Sequence, residues 1–322
     1  MITLKTLFDK NKNIIINTDI DGFLSGMLLQ RYYGCKVVGL SNSWDCVWTD
    51  PAYEQATADA LRDAIYIDLF VADPSVVCIE QHIIGYDEAH NRRIAAMGTK
   101  INPNIMRPNR TFVDNYFHKY PFGTVHFLIA QMEREGFGVE LPPLNAEASA
   151  IVSKYGLTVG DILLRADDAL FSSLGPYKAN TEEWWPWLLQ LSDNAPSVRA
   201  MMDYIGMADA TKSTEVKKQT GYYFRREFGC DGADGAYKVI TQPDGSLLPS
   251  VARYCDEISQ MMQMPLTLPL KYHMHKGAAA TKRYVGDGSD LDFAANADLY
   301  SYAFIYGPRS KYHNFSYTIR ME

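Results

Sequence analysis

The sequence predicts an α/β fold: a Rossmann-like parallel sheet in the N-terminal domain, then a smaller α+β C-terminal domain. Three observations carry this reading. Short apolar runs alternate with helix-like segments through the first half of the chain, the rhythm of a parallel sheet with crossover helices. The character changes after Gly175-Pro176, where Trp184-Trp185-Pro186-Trp187 begins a helical stretch and residues 208–220 are polar and rich in Lys and Thr. The remainder then mixes turns, one helix and strand-like segments.

Taken in order, 14–17 is an apolar strand, 23–33 a helix, 36–40 a strand and 53–62 a helix. Residues 64–68 and 76–79 are further strands, and 124–134 is a helix. Between them, 101–122 contains Pro103, Pro108, Pro121 and several Asn, the composition of a long loop of the kind that covers sites. Helical spacing returns over 146–173 with Ala146, Ala150, Ile151, Tyr155 and Leu157, then an apolar run that ends in Asp167-Asp168. The expected division is 1–175 for the first domain, 176–220 for linker helices and 221–322 for the second domain. That second domain holds a Gly/Asp-rich turn at 229–235, a helix at 248–263 and strands near 299–306 and 313–320.

With 322 residues, 47% hydrophobic and 21% charged, the chain is long enough for about two well-buried domains and is not disordered. A formal charge of -7 argues against a broad basic surface that grips duplex DNA, though not against a local groove. The five cysteines, Cys35, Cys46, Cys78, Cys230 and Cys255, include no Cys-x-x-Cys pair, which suggests neither a disulfide framework nor a zinc ribbon. The N-terminus lacks a signal-peptide core, and no run of about 18 apolar residues occurs. The expectation is a cytoplasmic protein with no membrane contact; oligomeric state is open.

The run Ile14-Ile15-Ile16-Asn17-Thr18-Asp19-Ile20-Asp21-Gly22 is a strand that leads into two carboxylates spaced two apart. In extended chain these share a face and can aim at one cation or a pair, and Gly22 permits a close turn. An ordinary strand-to-helix turn is the alternative, since Asp and Asn cap helices. A divalent site needs further oxygen or imidazole donors. Asp68 at a strand end, Glu80-Gln81-His82 after another, and Asp167 supply them, and Rossmann-like sheets place ligands beyond that edge.

In this order, Asn17-x-Asp19-x-Asp21-Gly22, Ile67-Asp68, Val77-Cys78-Ile79-Glu80-Gln81-His82 and Asp167-Asp168-Ala169-Leu170-Phe171 resemble the four motifs of the DHH phosphoesterase superfamily. Those motifs look like His-x-Asp-x-Asp-Gly, a lone Asp, Asp-His-His and Asp-Thr-Gly-x-Phe. Gly123-Thr124-Val125 is similar to the small-residue helix start between the third and fourth. Asn17 stands where many members have His, and Glu80 and Gln81 stand where the family has Asp and His.

The resemblance implies one or two Mn²⁺ or Mg²⁺ ions held by Asn17, Asp19, Asp21, Asp68, Gln81 and Asp167, with His82 and Asp68 catalytic. It also implies hydrolysis of phosphodiester bonds in a small nucleotide or a single-stranded nucleic acid end. A second domain would close over the metal cleft, with Arg320 at the end of its last strand. The alternative is a DHH-like binding or structural protein with impaired catalysis.

Arg320 suits a phosphate fork or is a surface charge. His273 and His275, in Lys271-Tyr272-His273-Met274-His275-Lys276, suit substrate contact or, sharing a strand face, a metal; surface packing is the bland reading. Asp87 and His90 either replace a ligand or begin a solvated helix. Lys282-Arg283-Tyr284 and Arg309-Ser310-Lys311-Tyr312-His313 interleave charge with aromatics, as for stacking on bases, or are half-buried sheet. Trp184, Trp185 and Trp187 read as helix packing, and Gly286-Asp287-Gly288 as a turn. No Gly-x-Ser-x-Gly elbow, phosphate loop or His-Glu-x-x-His helix is present.

Overall fold

The computed structural model describes residues 3–147, 150–170, 178–191, 195–284, 286, 288–291, 296–306 and 313–321. Phe171, Asp287, Gly175-Pro176 and Arg309–Tyr312 lie outside them, as do the side chains of Asp168 and His313.

Helix α1 (Leu4–Lys10) precedes β1 (Asn13–Asn17), α2 (Ile20–Tyr33), β2 (Lys36–Ser41), β3 (Cys46–Thr49), α3 (Pro51–Ala56), β4 (Ile65–Ile67) and β5 (Cys78–Ile79). Then come α4 (Glu88–Met97), β6 (Lys100–Ile101), α5 (Pro103–Met106) and α6 (Thr124–Arg134). Short helices α7 (Ala150–Lys154) and α8 (Val159–Leu163) lead into α9 (Lys178–Gln190), α10 (Pro196–Gly206), α11 (Ala210–Tyr222) and α12 (Pro249–Met262). The chain ends in β7 (His273–Lys276), β8 (Ala278–Arg283), β9 (Leu299–Tyr306) and β10 (His313–Ile319).

The fold is α/β. A mostly parallel seven-stranded sheet has the order β6-β5-β4-β1-β2-β3-β7, and an antiparallel three-stranded sheet has the order β8-β10-β9. The five strands from β6 to β2 are parallel. β1, the middle strand of the seven, is buried on both faces: Ile14 and Ile16 face the core around α2 and α6, and Ile15 faces Val38, Val47 and Tyr66. A β-branched run without alternation is the pattern such a doubly covered strand requires.

The large sheet departs from the sequence expectation in two places. β3 returns antiparallel to β2 through a turn in which Asn42 Oδ1 accepts from the backbone N–H groups of Trp44, Asp45 and Cys46. β7, expected in the C-terminal domain, instead pairs antiparallel with β3 at the edge of the large sheet.

The segment between is also tied to the first sheet. Tyr254 of α12 meets Phe23 of α2 edge-on at 5.2 Å, and one buried cluster runs from Leu4 to Tyr272 through Trp184 and Trp185. Residues 208–220, within the segment expected as linker helices, form most of α11, with Val216 and Thr220 buried. The three-stranded sheet carries its own cluster around Tyr302, Phe304 and Phe315, which packs on Ile83, Ile84, Ile94 and Phe112 of the first body. The expected loop over 101–122 begins at the last residue of β6 and contains α5, so it is partly regular secondary structure.

Candidate metal centre

β1 and β4 run parallel with Ile16 opposite Ile67, so Asn17, Asp19 and Asp68 emerge side by side from their carboxyl ends. Asp19 caps α2, its Oδ1 accepting from Gly22 N at 2.9 Å. Gly22 lies so close to β1 that a Cβ there would sit 2.3 Å from the Asn17 carbonyl oxygen. The turn reading and the ligand reading of this run therefore coexist, because a capping carboxylate keeps lone pairs for a cation.

Asp21, in the first turn of α2, is received by the N-terminus of α6. Thr124 N donates to its Oδ2 at 2.7 Å and Val125 N to its Oδ1 at 2.8 Å, where the helix dipole favours negative charge. Gly123 makes this approach possible, since a Cβ would fall 2.6 Å from Asp21 Oδ2. Thr124 also donates its hydroxyl to Asp68 Oδ1 at 2.9 Å. Asp68 and Asp167 both stand in the left-handed backbone region, with φ of 59° and 47°, a conformation costly for residues other than glycine and concentrated at functional sites.

These side chains line a cavity of about 100 Å³ with Gln81, His82, Arg165 and Asp234. Of the metal ligands expected from sequence, Asp19, Asp21, Asp68, Gln81 and Asp167 all converge on it. Asn17 sits beside it but turns the other way. Its Oδ1 accepts from Thr18 N at 2.8 Å, which fixes the amide orientation, and its Nδ2 donates to Asp19 Oδ2 at 2.8 Å and Asp68 Oδ2 at 2.9 Å. An N–H donor is not a ligand, so Asn17 cross-links two carboxylates here instead of binding a cation.

The electrostatics of the cavity are unfavourable as it stands. Burial, then the charges of Asp234 and Asp21, raise the Asp19 pKa from 3.8 to about 8. Asp21 is pushed up to about 6, mainly by burial, with the Val125 N–H opposing and Asp167 adding to the rise. Asp68 is driven well above the usual range by burial and by Asp21 and Asp19. A divalent cation removes this repulsion.

The donor set fits one. Gln81 is buried and its Oε1 has no hydrogen-bond partner, leaving an oxygen donor among carboxylates, the chemistry hard cations such as Mn²⁺ and Mg²⁺ take. For His82, burial opposes the charged form, but the neighbouring Glu80 and Asp167 carboxylates outweigh it, and its pKa lies above the ordinary value. Glu80 is itself held by Asn102 and accepts from His82 N at 2.6 Å.

Sequence reasoning missed Asp234 and Arg165. Asp234 arrives from the Gly/Asp-rich turn, pinned where its carbonyl accepts from Ile20 N at 3.1 Å and where Tyr237 N donates to Thr18 O at 3.2 Å. Arg165 is buried two residues before Asp167. An arginine ending the apolar run 162–164 was the available signal for it; a glycine-rich turn gave none for Asp234.

The other expected contacts lie elsewhere. Arg320 is exposed, its Nε 3.1 Å from Asp298 Oδ2, and it lines a separate hollow with Arg62 and Asp73. His273 and His275 sit on the edge strand β7, three strand spacings, about 14 Å, from β1. Asp87 caps α4, accepting from His90 N at 2.7 Å, and His90 Nδ1 accepts from Tyr86 N, so the pair starts a helix. Trp184, Trp185 and Trp187 pack against Tyr120, Phe122 and Phe127. Lys282 lies 5.0 Å over the Tyr317 ring.

The cavity opens into a cleft of about 300 Å³ between the two sheets, which shares Asp19, Asp68, His82 and Asp234 with it. Trp44, Tyr66, Phe70, Tyr300 and Tyr302 line the cleft. No family model, curated protein or solved structure matches this chain. Among the described residues, no helix is long and apolar enough to cross a membrane.

Proposed function

We propose that the chain is a divergent DHH-like phosphoesterase that uses Mn²⁺ or Mg²⁺ to hydrolyse a phosphodiester of a small nucleotide or a single-stranded nucleic acid end. The observation that carries this reading is the convergence of five carboxylates, Asp19, Asp21, Asp68, Asp167 and Asp234, on one small cavity at the mouth of an aromatic cleft. Such a cavity repels phosphate until cations reverse its charge. Asp19, Asp21, Asp68, Asp167 and the Gln81 oxygen would hold them. Bound divalent cations supply Lewis acidity and lower the pKa of coordinated water.

The chain's own residues provide the rest. The α6 N-terminus and Thr124 fix the directions of Asp21 and Asp68. Against burial, Glu80, whose Oε2 lies 3.6 Å from Nδ1, and Asp167 favour the protonated form of His82, and the half-buried ring faces both cavity and cleft. Arg165 adds a fixed positive charge beside the carboxylates. Trp44 and Tyr300, the latter held by its hydroxyl 2.8 Å from that of buried Tyr66, offer faces for a base. Among the described residues His82 is the only basic side chain lining the cleft, which favours a small nucleotide over a long phosphate backbone. Five free, buried cysteines suit a reducing cytoplasm.

One observation favours a second reading, a related protein that binds without turnover. The Asn17 amide occupies the position between Asp19 and Asp68, replacing a nitrogen ligand with hydrogen bonds. A panel of phosphoester substrates with Mn²⁺, Mg²⁺ or EDTA separates the two. Metal-dependent cleavage lost in Asp68→Ala supports the hydrolase, and binding of a nucleotide without cleavage supports the second reading.

A further inference from the structure

A second cluster of ligating side chains lies at the free edge of the large sheet. In the β3–β7 pair His275 stands opposite Val47 and His273 opposite Thr49, so both imidazoles share one face. Glu54 of α3 reaches them: its Oε1 is 2.8 Å from His275 Nε2, and its Oε2 is 3.1 Å from His273 Nδ1. One ligand atom from each residue falls within 4.8 Å of the other two.

Metal bonds to imidazole nitrogen and carboxylate oxygen are about 2.0–2.2 Å, and tetrahedral angles then separate the donors by roughly 3.3 Å. The carboxylate-to-imidazole distances already match that spacing. We propose that Glu54, His273 and His275 form a binding site for one zinc-class divalent ion, with the fourth position open to water.

Two imidazoles select Zn²⁺, Co²⁺ or Ni²⁺ over Mg²⁺ and Ca²⁺, so this site differs in kind from the carboxylate-rich cavity. Thr49 supplies the supporting contact, its hydroxyl donating to Glu54 Oε1 and lying 2.9 Å from His275 Nε2. The His273 side chain is 62% exposed, which gives an ion entry from solvent. The consequence is mechanical. An ion here ties β7 to α3, across 219 residues of chain, and β7 runs through Gly277 directly into β8 of the sheet that roofs the cleft.

The test is a titration of Zn²⁺, and of Co²⁺ as a spectroscopic probe, into the full chain, alongside His273→Ala, His275→Ala and Asp68→Asn. The expected result, besides any ion taken up at the carboxylate cavity, is a tetrahedral Co²⁺ visible spectrum that Zn²⁺ erases. Loss of a supporting contact alone weakens metal sites about 10–100-fold, so each His variant should lose at least that much affinity. His273→Ala changes an exposed side chain and keeps the fold testable by circular dichroism. Asp68→Asn should leave the signal intact, separating this site from the carboxylate cavity. Equal Zn²⁺ affinity in the wild type and both His variants, or no Zn²⁺ binding, would overturn the proposal.

Discussion

Asn17 Nδ2 donates to Asp68 Oδ2 at 2.9 Å, joining the ends of two adjacent parallel strands at the edge of the acidic cavity. The same nitrogen serves Asp19, so one neutral amide relieves part of the repulsion between two buried carboxylates. Replacing it with a nitrogen donor should convert a cross-link into a ligand. Asn17→His is expected to bind Mn²⁺ more tightly than the wild type in isothermal titration calorimetry; equal or weaker binding would show that the amide is not what limits the site.

Gly123 sets how closely the α6 N-terminus approaches Asp21. A methyl group 2.6 Å from Asp21 Oδ2 must displace either the carboxylate or the helix, and overpacking of this kind costs about 1–3 kcal/mol. Gly123→Ala should therefore lower the midpoint of urea unfolding and weaken Mn²⁺ binding together. A variant with wild-type values of both would refute the close fit.

The metal-free protein should lose stability as pH rises. Asp19 binds its proton with a pKa of about 8 in the fold against 3.8 ordinarily, and Asp21 with about 6. The folded state thus holds more protons than the unfolded one between these values, and linkage makes stability fall with increasing pH. The contribution is fully present below about pH 4 and lost by about pH 8. Saturating Mn²⁺ displaces those protons and should flatten the slope. Thermal unfolding in EDTA and in Mn²⁺ across this range reads it; equal slopes would count against a cation at the carboxylates.

His82 owes its raised pKa to Glu80 and Asp167, working against burial. Glu80→Gln removes one of these supports and should lower the His82 pKa, measured from the ring proton shifts in an NMR titration. An unchanged titration would assign the proton to some other partner.

Much of this was legible in the sequence, for identifiable reasons. The Ile14–Ile16 run and the helix over 124–134 were read correctly because a doubly covered strand and a buried helix leave continuous, local signals. Asp19, Asp21, Asp68, Gln81 and Asp167, singled out because each follows such a segment, line one cavity because strand ends in a parallel sheet share an edge. The misses are non-local. β7 joins β3 across more than 200 residues of chain, Glu54 meets His275 across 221, and Asp234 is placed by backbone hydrogen bonds to Thr18 and Ile20. No periodicity encodes such pairings. The orientation of the Asn17 amide is likewise a property of the folded backbone at Thr18.

The most direct measurement is Mn²⁺ binding by electron paramagnetic resonance, comparing the wild type with Asp68→Asn and Asp21→Asn. The account predicts bound Mn²⁺ in the wild type at micromolar protein and its loss in both variants while their circular dichroism is retained. Wild-type Mn²⁺ occupancy in folded Asp68→Asn and Asp21→Asn would contradict it.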